Sequence, residues 1–163
     1  MSAAFAIRRV EAADRSVLLR HVRALNIHED AMAADRATGE ADAAATLDEV
    51  LGRVAVSGGL ALVAEAEGSV IGHLALTIET APPYIRAELR RFAYVADAFV
   101  QEAFRGRGAF RAMLAEAEAH ARAAGCRRLM IGVLVGNAIA ERAYRRAGFR
   151  DYAIELVREI PPL

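Results

Sequence analysis

The segment Phe104-Arg-Gly-Arg-Gly-Ala-Phe110 lies between two stretches of sequence that have opposite structural preferences. The apolar run Tyr94–Val100 before it is typical of a strand, and the alanine-rich stretch after it predicts a long helix. Gly125 is expected to close that helix as a left-handed cap. The sequence therefore predicts a strand, a glycine turn and a helix in direct succession.

Three arginines lie at the predicted start of this helix, where the macrodipole normally favours acidic side chains: Arg105, Arg107 and Arg111. Gly106 and Gly108 allow close approach of the backbone, and the free N–H groups of the helix start add to an anion site. The turn lacks the Gly-Lys-Ser/Thr of nucleotide triphosphatases and the third glycine of a dinucleotide-binding motif. We predict a phosphate site; a solvated basic turn is the alternative.

A second group of residues follows a predicted strand over Arg128–Val135. Asn137 begins a helix, Tyr144 lies seven residues later, and Gly148-Phe149 ends the helix. This motif and the glycine turn are joined by one helix and one strand, so that together they are far more specific than either alone.

With both motifs in this order, the chain resembles the GCN5-related N-acetyltransferases (GNAT family). Their acetyl-coenzyme A signature is Arg/Gln-x-x-Gly-x-Gly/Ala, which corresponds here to Arg105–Phe110. One position departs from the pattern, because Phe110 replaces the usual glycine or alanine. The resemblance covers Tyr94–Phe149 and is only topological before that.

The resemblance implies an acetyl-coenzyme A-dependent N-acetyltransferase that moves the acetyl group to a primary amine by direct attack in a ternary complex. It implies Tyr144 as the general acid for the departing sulfur. The nearest candidates for the general base that deprotonates the amine, directly or through water, are Asp97 in the predicted strand Tyr94–Val100 and Glu102 just after it. Backbone near Val100 is expected to hold the pantetheine arm and the thioester. The implied cosubstrate-binding residues are Val100, Arg105, Gly106, Arg107, Gly108, Ala109, Phe110, Arg111 and Asn137.

Along the whole chain, the hydrophobic periodicity predicts one mixed α/β domain over residues 1–163, with the order β-α-α-β-β-β-α-β-α-β. The resemblance implies a mostly antiparallel sheet flanked by helices. The predicted elements outside the motifs are a strand at Phe5–Val10, a helix from Asp14, a mobile loop or a short broken helix at Asn26–Glu40, a helix from Thr46 to about Val56, a hairpin of Leu60–Ala66 with Val70–Ile78, and a final strand at Phe149–Ile160.

Composition limits the remaining classes of protein. The longest apolar runs are far shorter than the roughly 20 residues that a membrane helix needs. The single cysteine, Cys126, cannot form an internal disulfide, and the four histidines have no metal-ligand spacing. Net charge is zero, which argues against nucleic-acid binding. We expect a cytoplasmic protein without metal or membrane partner, either a monomer or a homodimer.

The zero net charge hides a polarity between two halves of the chain. Residues 11–80 carry 12 acids and 5 arginines, a net of −7, whereas residues 81–150 carry 13 arginines and 6 acids, a net of +7. The basic half contains the coenzyme A signature, so the acidic half is expected to face a cationic or amine-bearing acceptor, a small molecule or a protein. We expect the segment Asn26–Asp42 and the loop Ile78–Arg91 to form its pocket.

Two other functions remain open at this stage. A non-catalytic acyl-coenzyme A-binding or sensor module on the same fold is supported only by the bulky Phe110. A nucleic-acid binder that uses the Arg-Gly-Arg-Gly segment is disfavoured by the zero net charge and by the few aromatic residues.

Overall fold

The protein is built on one sheet of five strands, with helices on both faces; a computed structural model describes residues 5–162. The strands run in the order β1-β2-β3-β4-β5, and all neighbours are antiparallel except the parallel pair β4–β5. The strands are β1 (Ala6–Arg9), β2 (Leu60–Ala66), β3 (Ser69–Thr80), β4 (Arg91–Val100) and β5 (Leu129–Ile131). The helices are α1 (Arg15–Ala33), α2 (Glu40–Ser57), α3 (Ala87–Arg90), α4 (Ala109–Ala123) and α5 (Ala138–Arg146).

Two separate apolar cores explain why β3 is buried along most of its length. On one face, Leu74, Leu76 and Ile78 of β3 pack with Met113 and Leu114 of α4. The opposite face is covered by α1 and α2, whose buried residues form the second core: Leu18, Val22, Ala43 and Leu47, together with Val63 of β2. Side chains alternate along a strand, so residues of β3 between the leucines face α1 and α2.

Several predictions from the sequence are confirmed. The hairpin of β2 and β3 forms, Gly125 follows α4 with a φ of 79°, and Gly148 follows α5 with a φ of 94°. The fold class is also confirmed, since the sheet is mixed, mostly antiparallel and flanked by helices.

The region between the first two helices differs from the sequence prediction. α1 continues to Ala33, into the stretch expected to be a mobile loop or a short broken helix, and α2 begins at Glu40 rather than at Thr46. The start of α2 is fixed by Asp42, whose carboxylate accepts a hydrogen bond from the Gly39 N–H. Thr46 lies inside the helix and donates its hydroxyl to the Asp42 carbonyl. Side-chain hydrogen bonds to the backbone therefore stabilise the start of α2, although the sequence there is acidic and lacks a clear hydrophobic period.

The predicted final strand is wrong. Within the described part of the chain, residues 150–162 contain no strand, and β5 is limited to three residues. Ile154 and Leu156 alternate as a strand would require, but they are 86% and 93% exposed. A strand needs backbone partners as well as alternation, and no neighbour pairs with this segment in the sheet. The described order of elements therefore ends with α5.

Candidate active site

Strands β4 and β5 separate soon after they pair. Only residues Ala93–Val95 of β4 pair with Leu129–Ile131 of β5, whereas β4 continues to Val100. Within residues 5–162, no strand pairs with this side of β4 beyond Val95. The Val100 carbonyl accepts a hydrogen bond from Arg105 Nε at 2.9 Å, so the main-chain groups of Val100 face the opening. An extended ligand can therefore reach unpaired backbone at this end of β4.

A β-bulge at Ala96 decides which way Asp97 points. Ala75 pairs with Asp97 and Leu76 pairs with Val95, so that Ala96 is an extra residue in β4. Such a bulge reverses the alternation of side chains beyond it. Val95 and Ala98 both pack against the α4 core, and Asp97 is therefore turned to the opposite face, beneath α1.

Asp97 is buried at this face and only partly satisfied. Its side chain is 7% exposed, and Oδ2 lies 3.1 Å from Nε2 of His73. Its other oxygen, Oδ1, is shielded from solvent and has no hydrogen-bond partner among the described residues. Glu102, the alternative base, lies in a short 3-10 turn after β4 and is exposed. Of the two acids predicted from the sequence, Asp97 alone has a buried, specialised environment.

The glycine turn between β4 and α4 forms as predicted. Gly106 and Gly108 have φ values of 73° and 98°, a left-handed region that side chains disfavour. The Gly108 carbonyl accepts from Ala112 N as α4 begins, so the N–H groups of Ala109, Phe110 and Arg111 have no helical partner. These donors suit an anion, as expected of a helix N-terminus.

The three arginines of the turn have different surroundings. Arg105 is held by the Val100 carbonyl, and the Arg107 guanidinium lies over the Phe104 ring, 5.4 Å from its centroid. Both are exposed, as is Arg111 in the first turn of α4. The structure thus gathers positive side chains and free N–H donors on one surface, although Arg105 also stabilises the turn itself.

Helix α5 brings Tyr144 to the same region. Asn137 caps this helix, since its Oδ1 accepts from Ala140 N at 3.1 Å. The Tyr144 ring packs against Phe110 and Phe149, with centroids 5.4 and 6.1 Å away. Burial, with smaller contributions from the nearby carboxylates of Glu29 and Asp97, raises the pKa of Tyr144 to about 12. Tyr144 therefore keeps its proton at neutral pH.

An acidic cavity of about 300 Å³ lies between α1, α2 and the bulge in β4. It is lined by three carboxylates, Glu29, Asp35 and Asp97, and by the single cation Arg36; its other lining residues are Leu25, Asn26, Ala37, Thr46, Val50 and Ala96. Arg36 is already paired with Glu29 and Asp35 at its edge. A carboxylate without a cationic partner, that of Asp97, therefore lines a cavity suited to a positively charged group.

The two segments predicted to form the acceptor pocket line different cavities. The segment Asn26–Asp42 lines the acidic cavity as expected, but the loop Ile78–Arg91 does not. Tyr84 and Ile85 of that loop line a different cavity of about 380 Å³, near the start of β4. The two segments lie at different ends of β4, since Asp97 lines only the first cavity.

Sequence reasoning did not place His21 at this site. It treated His73 as a structural histidine that could face the acceptor, and it included Glu29 only as part of the segment Asn26–Asp42. His73 contacts Asp97 directly, His21 contacts His73, and Glu29 shares the acidic cavity. Their positions depend on the bulge and on the longer α1, for which the sequence offered no signal. Over residues 5–162, no group of three metal-ligating side chains occurs, and no described helix is long and apolar enough to cross a membrane.

Residues 23–149 match the family model described as the acetyltransferase (GNAT) family. No curated protein sequence gives a significant match. Among solved structures, the glucosamine-6-phosphate N-acetyltransferase from Arabidopsis thaliana has 17% identity and a TM-score of 0.67, covering 97% of this chain and 99% of its own. The aminoglycoside antibiotic 6'-N-acetyltransferase AAC(6')-IG from Acinetobacter haemolyticus has 18% identity and a TM-score of 0.71, covering 96% and 99%.

A third similar structure, AAC(6')-Iy in complex with the bisubstrate analog CoA-S-monomethyl-acetylneamine, has 18% identity and a TM-score of 0.67, covering 98% of this chain and all of its own. Identities this low show a shared fold. The family match is independent of them and spans most of the chain, including both motifs. The chain belongs to the GNAT family of acetyltransferases.

Proposed function

We propose that this chain, as one acetyltransferase domain over residues 1–163, transfers the acetyl group of acetyl-coenzyme A directly to a primary amine in a ternary complex. One observation carries the proposal. Asp97, with an unpartnered buried oxygen, and Tyr144, which keeps its proton, both lie beside the open end of β4. One group is suited to accept a proton and the other to donate one, where the thioester would lie.

The donor side of the site is assigned to the glycine turn. The N–H groups at the start of α4, together with Arg107 and Arg111, would bind the phosphates of coenzyme A. The main-chain N–H of Val100, at the open side of β4, would hold the pantetheine arm and the thioester carbonyl. The related AAC(6')-Iy was solved with a coenzyme A bisubstrate analog, which supports this assignment. Acetyl-coenzyme A supplies an acyl carbon that is activated by its thioester.

The acceptor side is assigned to the acidic cavity. Its carboxylates would attract an ammonium group and exclude carboxylate-bearing molecules. Two similar structures are named as N-acetyltransferases of glucosamine-6-phosphate and of an aminoglycoside antibiotic, both amines. We infer an amine-bearing acceptor, a small molecule or the amino group of a protein. Cytoplasmic location, independence of metal, and a monomeric or homodimeric state remain predictions.

The proposed chemistry needs three proton transfers. An aliphatic ammonium has a pKa near 10.4, so Asp97 would take one proton, directly or through water, before the nitrogen attacks. The C–N bond forms while the C–S bond breaks, and the Tyr144 hydroxyl gives its proton to the departing sulfur. A thiol has a pKa near 8.5, below that of Tyr144, so this donation must accompany the departure of the sulfur. The nitrogen then loses its second proton, which returns to the Tyr144 oxygen directly or through water.

Calorimetry with acetyl-coenzyme A, followed by thiol release with a panel of amines, tests the proposal. We expect binding, turnover with amines that rises from pH 6 towards pH 9, and loss of turnover in Asp97→Asn. The exposed Asp151→Asn is the matched control and should behave as the wild type. Binding without turnover of any amine would support the non-catalytic acyl-coenzyme A module instead, and neutral acceptors that outperform every amine would refute the acidic cavity as the acceptor site.

A further inference from the structure

A row of buried polar side chains leads away from Asp97 under α1. Nε2 of His73 lies 3.1 Å from Asp97 Oδ2, and Nδ1 of His73 lies 3.4 Å from Nδ1 of His21. Nε2 of His21 lies 3.1 Å from Nε2 of Gln101. The two histidines are 4% and 3% exposed, and the Phe99 ring packs against both. Buried polar groups of this kind are costly unless each hydrogen bond has a donor and an acceptor.

The protons in this row can be assigned from one end. Gln101 Nε2 lies 3.2 Å from the Val70 carbonyl oxygen, which only accepts, so this atom is the amide nitrogen. Its second N–H is then directed to His21 Nε2, which must accept. Burial, with a smaller contribution from the Arg20 guanidinium, lowers the pKa of His21 to about 4. His21 is therefore neutral at pH 7, with its proton on Nδ1.

The remaining positions follow from this assignment. The Nδ1–H of His21 donates to Nδ1 of His73, which leaves the proton of a neutral His73 on Nε2. That N–H points at Oδ2 of Asp97. All hydrogen bonds in the row then run in one direction, from the Gln101 amide to the Asp97 carboxylate. The opposite tautomer of His73 would direct a lone pair at the carboxylate.

We propose that His73 is a positioning residue for Asp97: its tautomer, fixed by His21 and Gln101, directs an N–H donor at Oδ2 and so holds the carboxylate at the acidic cavity. The inference rests on the proposed function, in which Asp97 is the base. Several charged or titratable groups face Asp97. Glu29 of α1 and Asp35 of the following loop are carboxylates that repel its negative charge, and Tyr144 of α5 is a neutral phenol. His73 of β3 and Arg36 supply a hydrogen-bond donor and a positive charge. A donor on Oδ2 offsets the neighbouring carboxylates.

The first test needs no activity. Long-range ¹⁵N–¹H NMR spectra of the wild-type protein report which ring nitrogen of each histidine carries the proton. At pH 7 we expect His21 protonated on Nδ1 and His73 on Nε2. A His73 protonated on Nδ1 alone, or a doubly protonated His21 at this pH, would overturn the assignment.

The second test follows the pH dependence of kcat/KM in two variants. His73→Leu removes the donor, and the acidic limb should move up by about one pH unit, since a hydrogen bond to the charged form lowers a carboxyl pKa. His73→Gln keeps an N–H donor and should restore much of the wild-type limb. The control is His120→Gln, because His120 contacts the Gly58 carbonyl far from the site; its profile should not move.

The two tests separate the possible failures. An unchanged acidic limb in both His73 variants, with kcat/KM lowered equally at every pH, would reduce His73 to a packing residue. If the tautomers are as assigned but no amine is acetylated, the proposed function fails while the hydrogen-bond row stands. If His73→Leu does not fold, His73→Gln and the wild-type spectra still decide the matter.

Discussion

Phe110 and Tyr144 pack ring against ring, with centroids 5.4 Å apart and ring planes inclined by 40°. Phe110 is the second residue of α4, so this contact joins the glycine turn to the helix that carries Tyr144. The residue that departs from the family signature, Phe110, therefore packs against Tyr144. Phe110 is half-buried against the core and supports the tyrosine, which removes the sequence argument for a module unable to catalyse.

Phe110→Ala restores a residue that the family signature allows, and we expect it to separate binding from turnover. The N–H groups of the turn are unchanged, so the dissociation constant for acetyl-coenzyme A should stay within about threefold. Turnover should fall roughly tenfold or more, because loss of an aromatic partner lets Tyr144 shift. Calorimetry and steady-state kinetics measure the two effects; equal losses in both would contradict the supporting role.

Tyr144→Phe removes only the hydroxyl and leaves the ring contacts in place. If Tyr144 is the general acid, kcat should fall by about 10²-fold or more, with little change in the KM for acetyl-coenzyme A. Tyr84→Phe, at an exposed position, is the matched control. An unchanged kcat in Tyr144→Phe, with an acceptor that the wild type acetylates well, would remove Tyr144 from the mechanism.

The arginines of the turn should differ in what their removal does. Arg107→Ala with Arg111→Ala should weaken acetyl-coenzyme A binding about tenfold or more and flatten its dependence on salt, because paired charges are screened. Arg105→Ala should also lower thermal stability, since its Nε holds the Val100 carbonyl. Arg142→Ala, exposed on α5, serves as control. A dissociation constant that ignores both salt and the double substitution would exclude the turn as the phosphate site.

A buried ion pair near the start of α1 predicts a pH-dependent stability. Asp14 accepts two hydrogen bonds from Arg8 and one from the Glu11 N–H, and Arg8 above all lowers the pKa of this carboxyl. A carboxyl whose folded pKa lies below its unfolded value, about 3.9, stabilises the fold above that value. The contribution is lost as pH falls through the folded pKa.

Arg8→Met should therefore reduce the free energy of unfolding by about 2–3 kcal/mol at pH 7, because Asp14 is left as a buried charge. The deficit should shrink below about pH 4, where Asp14 becomes protonated. Urea unfolding at several pH values measures both, with the exposed Arg9→Met as control. A deficit that is independent of pH would assign the effect to packing rather than to the ion pair.

How much the sequence predicted depended on the range of the interactions involved. The glycine turn, α4 and the cap of α5 by Asn137 rest on local rules of backbone conformation, and the structure confirms them. The ring contact between Tyr144 and Phe110 was not predicted from the sequence.

The parts that the sequence did not predict depend on pairing between distant segments. His21 and His73 are 52 residues apart and meet only because α1 packs on the face of β3 that carries His73. The prediction of a final strand was wrong because it used only a local pattern, the alternation of Ile154 and Leu156. Whether a strand forms also depends on a distant segment that pairs with its backbone, and the described sheet contains none. Asp97 was identified as an acid near the end of β4, but its buried surroundings depend on the register of β3 with β4.

Ala96 has no reactive group, yet its presence as one additional residue determines the face to which Asp97 belongs. Loss of the Ala96 codon would send the Asp97 carboxylate into the α4 core, although every reactive side chain would still be encoded. Replacement of Ala96 by another small residue leaves the number of residues in β4 unchanged. In the evolution of this chain, β4 should accept substitutions far more readily than insertions or deletions, so the spacing within the strand is under stronger selection than the identity of most residues in it.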